Sequence, residues 1–355
     1  MKKAMIAMSG GVDSSVAAYL ITQQGYDAVG VTMKLYANDG EVRTEKACGT
    51  DDDVNDARCV AERLGIPYYV FNYTDNFKLQ VISRFVEAYR SGRTPNPCID
   101  CNRYIKFNQL MQRAKELEFD YVVTGHYAVT EYDEKSGRYL LKKAVDDTKD
   151  QSYVLYSLTQ EQLKHILFPL GSMTKAEARQ IAEEQGFVNA QKHDSQDICF
   201  VPDGNYARFI EEWCGFKFED GNFVDLDGKI IARHKGIINY TIGQRKGLGI
   251  AAKAPYYVVS KNLDSNEVVL GANEDLFSDS LIADDVNFIS IEKLTEPMKV
   301  RAKVRYKQKE TDAVISPLDG GRVNVKFDTP QRAIAPGQAV VFYDGDIVVG
   351  GGTIQ

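Results

Sequence analysis

The most constraining feature stands near the N-terminus, where Ala4-Met5-Ile6-Ala7-Met8 passes directly into Ser9-Gly10-Gly11-Val12-Asp13-Ser14-Ser15. The apolar run reads as a buried strand, and DSSVAAYLITQQG behind it as a helix ended by Gly25. A strand that turns through glycines into a helix start is a phosphate site. The glycines let backbone N–H groups approach an anion, and the helix N-terminus adds donors and a favourable dipole. Ser9, Ser14 and Ser15 add hydroxyls, while Asp13 is odd beside a phosphate unless it holds Mg²⁺ or orients the turn. Neither the G-x-x-x-x-G-K-[ST] loop nor the G-x-G-x-x-G fingerprint is present. The plainer alternative is a tight turn capping a helix.

The alternation continues. AVGVTMKLY, PYYVFNY and DYVVTGHYA read as strands; DDDVNDARCVAERLG, NFKLQVISRFVEAYRSG and YIKFNQLMQRAKELE read as helices. Strands alternating with helices imply a parallel, doubly wound α/β sheet with ligands beyond the carboxyl ends of its strands. A hairpin-like stretch, GRYLLKKAVDDTKDQSY, follows, then capping-box pairs Thr159/Gln162 and Thr174/Glu177. From about residue 200 short β runs take over, and the last 80 residues read as a small antiparallel barrel or sandwich. The expected units are 1–202, a mainly-β 203–275 and 276–355.

A chain of 355 residues suits two or three domains. No stretch is apolar for long enough to span a membrane, and the N-terminal run is too short for a secretory signal, so a cytoplasmic location is expected. The net charge of −7 weighs against a uniformly basic nucleic-acid binder but leaves room for a local basic face. KVRAKVRYKQK places Lys299, Arg301, Lys303, Arg305 and Lys307 on one face of an expected strand, which suits either phosphate contacts or a solvated edge. Arg233, Lys235, Arg245 and Lys246 add charge in a loop-rich segment.

Six cysteines in a chain this long do not make a disulfide scaffold. In GRTPNPCIDCNRYIKF, two prolines stiffen the chain before Cys98, and Cys101-Asn102 is expected to open a helix. That position, with Arg103 and Lys106 nearby, favours a thiolate at Cys101. Cys199 stands far along the chain in HDSQDICFVPDG, which reads as a loop that moves. Three readings stay open for Cys98, Cys101 and Cys199: buried small hydrophobes, ligands of zinc or an iron–sulfur cluster, or sulfur-transfer thiols. Cys48, Cys59 and Cys214 read as buried hydrophobes.

The stretch SGGVDS resembles the signature of the PP-loop ATP pyrophosphatases, whose fold is adenine nucleotide alpha hydrolase-like. With GRTPNPCIDCNRYIKF, TGHYA, KDQSYVL, SQDICFV and YTIGQRKGLGI in order along nearly the whole chain, the sequence resembles the tRNA-specific 2-thiouridylase family. The resemblance implies a PP-loop catalytic domain, a small central domain and a C-terminal tRNA-binding antiparallel β-barrel. It implies ATP and Mg²⁺ as cofactors, tRNA as substrate, and a persulfide-donating cysteine desulfurase or sulfur carrier as partner, with no membrane.

By motif, Ala7, Met8, Ser9, Gly10, Gly11, Val12, Asp13, Ser14, Met33 and Gly125 match ATP-binding positions. Cys101 matches the nucleophile and Cys199 the persulfide carrier, with a disulfide between them during turnover. Asn96, Pro97 and Cys98 match the segment facing the target base. His126, Lys149, Asp150, Gln151, Arg305, Tyr306 and Gln338 match tRNA contacts. Cys98 departs from the family pattern, which often has aspartate there. A thiol does less acid–base work at a uracil ring, and it admits a cluster held by Cys98, Cys101 and Cys199.

Overall fold

Five parallel strands build the N-terminal sheet, in the spatial order Tyr68–Asn72, Asp27–Lys34, Lys3–Ala7, Tyr121–Val123, Ile166–Leu167. The structure is a computed structural model and describes residues 1–35, 50–193, 198–201 and 203–355. Ala4, Met5 and Ile6 are fully buried, as a central strand covered on both faces requires. The strand order reverses beside Lys3–Ala7, so the crevice beyond its carboxyl end is the ligand-binding place of a doubly wound sheet.

Local chemistry sets the helices around it. Thr50 and Asp53 form a reciprocal capping box at the start of Asp51–Leu64, and Gly65 ends it in the left-handed conformation at φ 68°. Thr159/Gln162 and Thr174/Glu177 cap Gln160–Lys164 and Lys175–Glu184 as their spacing predicts. Two helical stretches are π-wound at their centres. In one, Lys78–Ile82 lies between Thr74–Phe77 and Ser83–Arg90; in the other, Cys101–Gln109 lies between Pro97–Asp100 and Leu110–Glu116. Such widened turns concentrate at functional sites.

The C-terminal part is a closed six-stranded antiparallel barrel, with Phe277–Phe288 paired to both Val323–Arg332 and Ile347–Ile354. A hairpin from the N-terminal half, Val129–Asp133 with Arg138–Lys142, extends its sheet through Lys142 opposite Ile347. Between these parts lie the helix Tyr206–Cys214 and a four-stranded sheet of Gly221–Val224, Ile230–His234, Tyr257–Asn262 and Glu267–Gly271.

Three local expectations change. In DYVVTGHYA only Tyr121–Val123 is strand, because the chain leaves the sheet where Gly125 packs against the Asp13–Ser14 backbone. The basic strand spans Met298–Lys303, so Arg305 and Lys307 lie beyond it. Arg305 instead donates to the carbonyls of Ala333 (2.8 Å) and Ile242 (3.3 Å), joining barrel to central unit. Cys59 is exposed, because the buried face of its helix is set by Val54, Ala57, Val60 and Ala61. Cys214 is half-buried against an apolar cluster, and Cys48 lies outside the described residues.

Candidate active site

The phosphate loop is built by close backbone packing. Gly10 has φ 74°, and a Cβ there would meet the Asp53 carbonyl oxygen at 2.4 Å, so the loop rests on the start of Asp51–Leu64 with no room for a side chain. Gly125 presses from the other side, where a Cβ would fall 2.7 Å from Ser14 N. Gly11 begins the helix Val12–Gln23 with extended backbone and, among the described residues, no side chain caps this start. Its first N–H groups, together carrying about half a positive charge, therefore face the crevice. Ser14 Oγ donates to the Gly11 carbonyl at 3.0 Å and accepts from Ser9 N at 3.1 Å, which holds the turn open.

Ala7 and Met8 are buried at the end of the strand, Val12 is buried at the helix start, and Ser9 is exposed. Met33 lies half-buried on the neighbouring strand, opposite Phe71. Asp13 orients the turn: both its oxygens accept from Lys175 Nζ (2.7 and 2.8 Å), and Oδ1 also accepts from Tyr127 Oη at 2.8 Å. A metal ion would have to displace this ammonium.

Tyr127 carries the connection onward. Its N–H donates to Gln151 Oε1 at 3.0 Å, and its carbonyl accepts from Gln151 N at 2.9 Å. Asp150 is buried, with its carboxylate accepting from Ala144 N, Ser152 N and Ser152 Oγ. Tyr306, stacked obliquely on Tyr153 at 5.9 Å, has its phenol pushed up to about 12, first by burial and then by the nearby Asp150 and Cys98. Hydrogen bonds thus join the phosphate loop, through Tyr127, to the Lys149–Gln151 segment. Lys149 is half-buried in it. His126 is 7% exposed, between Phe107 and Phe168, with Nδ1 2.7 Å from Thr124 Oγ1. Burial, then the charge of Lys106, hold its imidazole well below its ordinary pKa, so it is neutral.

The thiol-bearing helix opens earlier than expected. Asn96 is its N-cap, with Oδ1 accepting from Cys98 N at 3.1 Å, and Pro97 occupies the first turn. Cys101 therefore lies one turn inside, where the π-wound stretch begins. The Arg103 guanidinium forms a two-pronged pair with Asp285 of the barrel. Asn102 is buried, donating to the Val154 carbonyl at 3.1 Å, and its Oδ1 has no hydrogen-bond partner among the described residues. Gln338 Nε2 donates to the Thr94 carbonyl at 2.8 Å, so the barrel buttresses the turn before Asn96.

Cys101 and Cys199, distant in sequence, border the same apolar cluster, with Phe77, Phe85, Ile105 and Phe200 at its heart. Both are partly exposed and Cys98 is exposed. Of the loop HDSQDICFVPDG, Asp194 to Asp197 and Pro202 lie outside the described residues. Among the described residues no three His, Cys, Asp or Glu side chains are gathered as metal ligands, which argues against the cluster reading for Cys98, Cys101 and Cys199.

Sequence reasoning missed Tyr127, Lys175, Asn189 and Lys192. Asn189 Nδ2 donates to Gly10 O and Ser15 Oγ, both at 2.9 Å, and Lys192 Nζ reaches Asp53 and Asp56 at 2.7 Å. Tyr127 sits inside TGHYA and Lys175 directly after the Thr174 cap, but no spacing in the chain links either to Asp13.

Residues 2–203 match the family model described as tRNA methyl transferase HUP domain, 207–272 the tRNA methyl transferase PRC-barrel domain, and 278–354 the aminomethyltransferase beta-barrel domain. Over 355 residues the chain is 58% identical to tRNA-specific 2-thiouridylase MnmA 1 of Thermoanaerobacter sp. (strain X514), covering 99% of this chain and 98% of that protein. It is 54% identical to tRNA-specific 2-thiouridylase MnmA of Clostridioides difficile (strain 630), covering 100% and 98%. A solved 4-thiouridine synthetase–RNA complex with bound ATP is far more distant, at 19% identity and TM-score 0.36 over 59% of this chain and 50% of that one, and carries no weight here. The model descriptions speak of methyl transfer and the full-length relatives of thiolation; an open phosphate loop and two thiols on one cluster agree with the relatives. The chain belongs to the tRNA-specific 2-thiouridylase family.

Proposed function

We propose that the protein uses ATP to replace the C2 oxygen of the wobble uridine of tRNA with sulfur. The observation that carries this reading is an uncapped, glycine-lined phosphate loop in the same chain as two thiols, Cys101 and Cys199, that border one apolar cluster.

A uracil carbonyl oxygen is a poor leaving group. Transfer of AMP from ATP to O2, with loss of pyrophosphate, makes it a good one. The loop from Ala7 to Ser14 would hold the departing pyrophosphate through its N–H groups and hydroxyls, with Met33 and Gly125 at the nucleotide. The base must leave its stack to reach Asn96, Pro97 and Cys98. Asn96 spends its carbonyl oxygen on the cap, so its Nδ2 remains as a donor to a uracil oxygen.

Sulfur would arrive as a persulfide on Cys199, delivered by a cysteine desulfurase or sulfur carrier. The Cys101 thiolate attacks the inner sulfur, forming a Cys101–Cys199 disulfide and releasing hydrosulfide. Hydrosulfide adds at C2 and expels AMP, and a cellular dithiol then supplies the two electrons that reopen the disulfide. Mg²⁺ would travel with the ATP phosphates and supply charge neutralisation there. The loop's own carboxylate, Asp13, accepts from Lys175 through both oxygens, and no step is assigned to the ion. On this reading 1–202 is the catalytic unit, 203–275 connects, and 276–355 presents Arg305, Tyr306 and Gln338 toward tRNA alongside His126, Lys149, Asp150 and Gln151. No helix among the described residues is long and apolar enough to cross a membrane, and the substrate places the work in the cytoplasm.

The test is mass spectrometry of tRNA after incubation with ATP, Mg²⁺, cysteine and a desulfurase. Wild type should yield 2-thiouridine; Cys101→Ser and Cys199→Ser should yield none while still binding ATP. Undiminished product from the double variant would sink the mechanism.

A further inference from the structure

We propose that the cleft between the thiol helix and the barrel is a binding site for one nucleotide of the tRNA, the one adjoining the target uridine; this deepens the thiolation reading above and rests on it. The cleft has a volume of about 540 Å³, inside the range of roughly 300–1,000 Å³ typical of small-ligand sites. The helix Ser83–Arg90 forms one wall, and Gly337 and Ala339 of the barrel part form another. The thiol helix supplies the third through Asn96, Ile99, Asp100 and Arg103, which recur at the spacing of one helix face. Cys98 and Cys101 are not part of that lining. The cleft therefore adjoins the thiols without containing them, and it begins at Asn96, the residue assigned above to the target base.

Most of the charge around the cleft is already paired. Arg103 forms its two-pronged pair with Asp285, and Glu87 accepts from Arg90 at 3.5 Å. Arg84 donates to Asp100 through Oδ2 alone, at 3.4 Å. Two groups are left over. Asp100 Oδ1 has no hydrogen-bond partner among the described residues, although its side chain is only 19% exposed. Burial, against the pull of Arg84, raises the pKa of that carboxyl above its ordinary value, as befits a carboxylate short of donors. Arg93 is exposed at the rim, donates Nε to Ser91 Oγ at 3.1 Å, and has no carboxylate partner among the described residues. The barrel side fixes its place: a Cβ on Gly337 would fall 2.8 Å from Arg93 Cβ, and Thr94 N donates to the Pro336 carbonyl at 2.7 Å.

A mostly buried acceptor without a donor and an unpaired guanidinium at the rim, both lining one cleft, suit the two ends of a nucleotide. Asp100 Oδ1 accepts from a ring or exocyclic N–H of the base. Arg93 takes the phosphate through its terminal nitrogens, whose fork geometry matches phosphate oxygens. Arg84 lies over the Tyr104 ring at 4.8 Å and offers a planar guanidinium on which a base can stack. Extrusion of the target uridine draws the adjoining backbone with it, and a neighbour held in the cleft fixes where that backbone lies.

The experiment uses the full chain and substrate tRNA transcripts, either intact or with an abasic site immediately 5′ or immediately 3′ of the target uridine. Affinity is read by fluorescence anisotropy across a salt series, and 2-thiouridine by mass spectrometry. In wild type one of the two abasic positions should weaken binding about tenfold, the scale of one charge-assisted hydrogen bond. Asp100→Ala should weaken binding of the intact transcript by a similar factor and shrink that abasic penalty to within about twofold, a coupling that a merely structural role for Asp100 would not produce. Arg93→Gln should keep the abasic penalty, weaken all three transcripts alike, and lower the slope of log affinity against log salt by about 1. This exposed variant decides the matter if Asp100→Ala does not fold. The proposal is overturned if neither abasic position weakens wild-type binding, if the full penalty persists in Asp100→Ala, or if Arg93→Gln leaves the salt slope unchanged, in each case while wild type still thiolates the intact transcript. Failure of wild type to thiolate that transcript would instead sink the functional reading on which this one rests.

Discussion

Two helix starts carry the residues of the proposed reaction, and they are finished in opposite ways. Val12–Gln23 begins at Gly11 with no side-chain cap, while the thiol helix begins at Asn96, whose own carboxamide caps it, followed by Pro97, which has no N–H to offer. The first leaves its donors for a ligand. The second satisfies them internally, so what it presents is side chains, Cys98 and Cys101. A helix N-terminus is thus an anion site only where the sequence declines to cap it.

The largest way to break that contrast is Gly10→Val. A Cβ at this position meets the Asp53 backbone at 2.4 to 2.8 Å, and φ 74° is hostile to a β-branched residue. We expect a stability loss above about 3 kcal/mol and no measurable ATP binding. Gly11→Ala is the control: its Cβ meets only Ser9 Oγ at 3.5 Å, and calorimetry should find stability within about 0.5 kcal/mol of wild type. Equal damage from both would show that the loop is not held by the Asp53 contact.

Next in size is Asp13→Asn. It removes the charge that Lys175 contacts through two oxygens, at a site where the ammonium side chain is 11% exposed. Stability should fall by about 1–3 kcal/mol. ATP phosphates would offer Lys175 another anion, so the rise in Tm on adding ATP should exceed that of wild type. A smaller rise would separate Lys175 from the nucleotide.

At the closed start the expected effects are smaller. Asn96→Ala should cost about 1 kcal/mol, the typical worth of an N-cap, and leave ATP affinity unchanged. Asn96→Asp keeps a capping oxygen but loses the Nδ2 donor. Its Tm should stay near wild type while kcat/KM for tRNA falls. Altered ATP affinity in either variant would mean that the two helix starts are coupled, against the contrast drawn here.

What could be read from the chain follows the same division. The strand–glycine–helix start, Gly65 and the two capping boxes are local devices, and each appears where its residues place it. The barrel was legible as β texture, although its closure depends on Phe277–Phe288 pairing with two distant strands. The departures came from long-range contacts. Arg305 left its expected strand for carbonyls in two units, Arg103 turned to Asp285, and the Asp13–Lys175 bond joins the ends of the α/β part. Spacing carries no trace of such partners. The thiol helix opens early for a different reason: Asn-Pro, a stiff and extended pair in isolation, is also a good N-cap and first-turn pair.

The effect that is smallest at pH 6 and above tests the link between the two starts. His126 follows the glycine that packs on the phosphate loop, and its Nε2 lies 3.5 Å from Lys106 Nζ on the thiol helix. Its folded pKa lies well below the ordinary 6.5, chiefly from burial and then from Lys106. Between those two values the unfolded chain binds more protons than the folded one, so stability rises with pH. The contribution is whole above about pH 6.5 and is lost as pH falls toward the folded value, with a limiting slope of about 1.4 kcal/mol per pH unit. At pH 6 the loss should still be under about 1 kcal/mol. Denaturant titrations from pH 8 to pH 5 on wild type and His126→Gln check it, since glutamine fills much of the space and carries no proton. The variant's curve should be flatter by that slope below pH 6.5. Parallel curves would show that acid enters elsewhere, and that the neutral imidazole is not what joins the open helix start to the closed one.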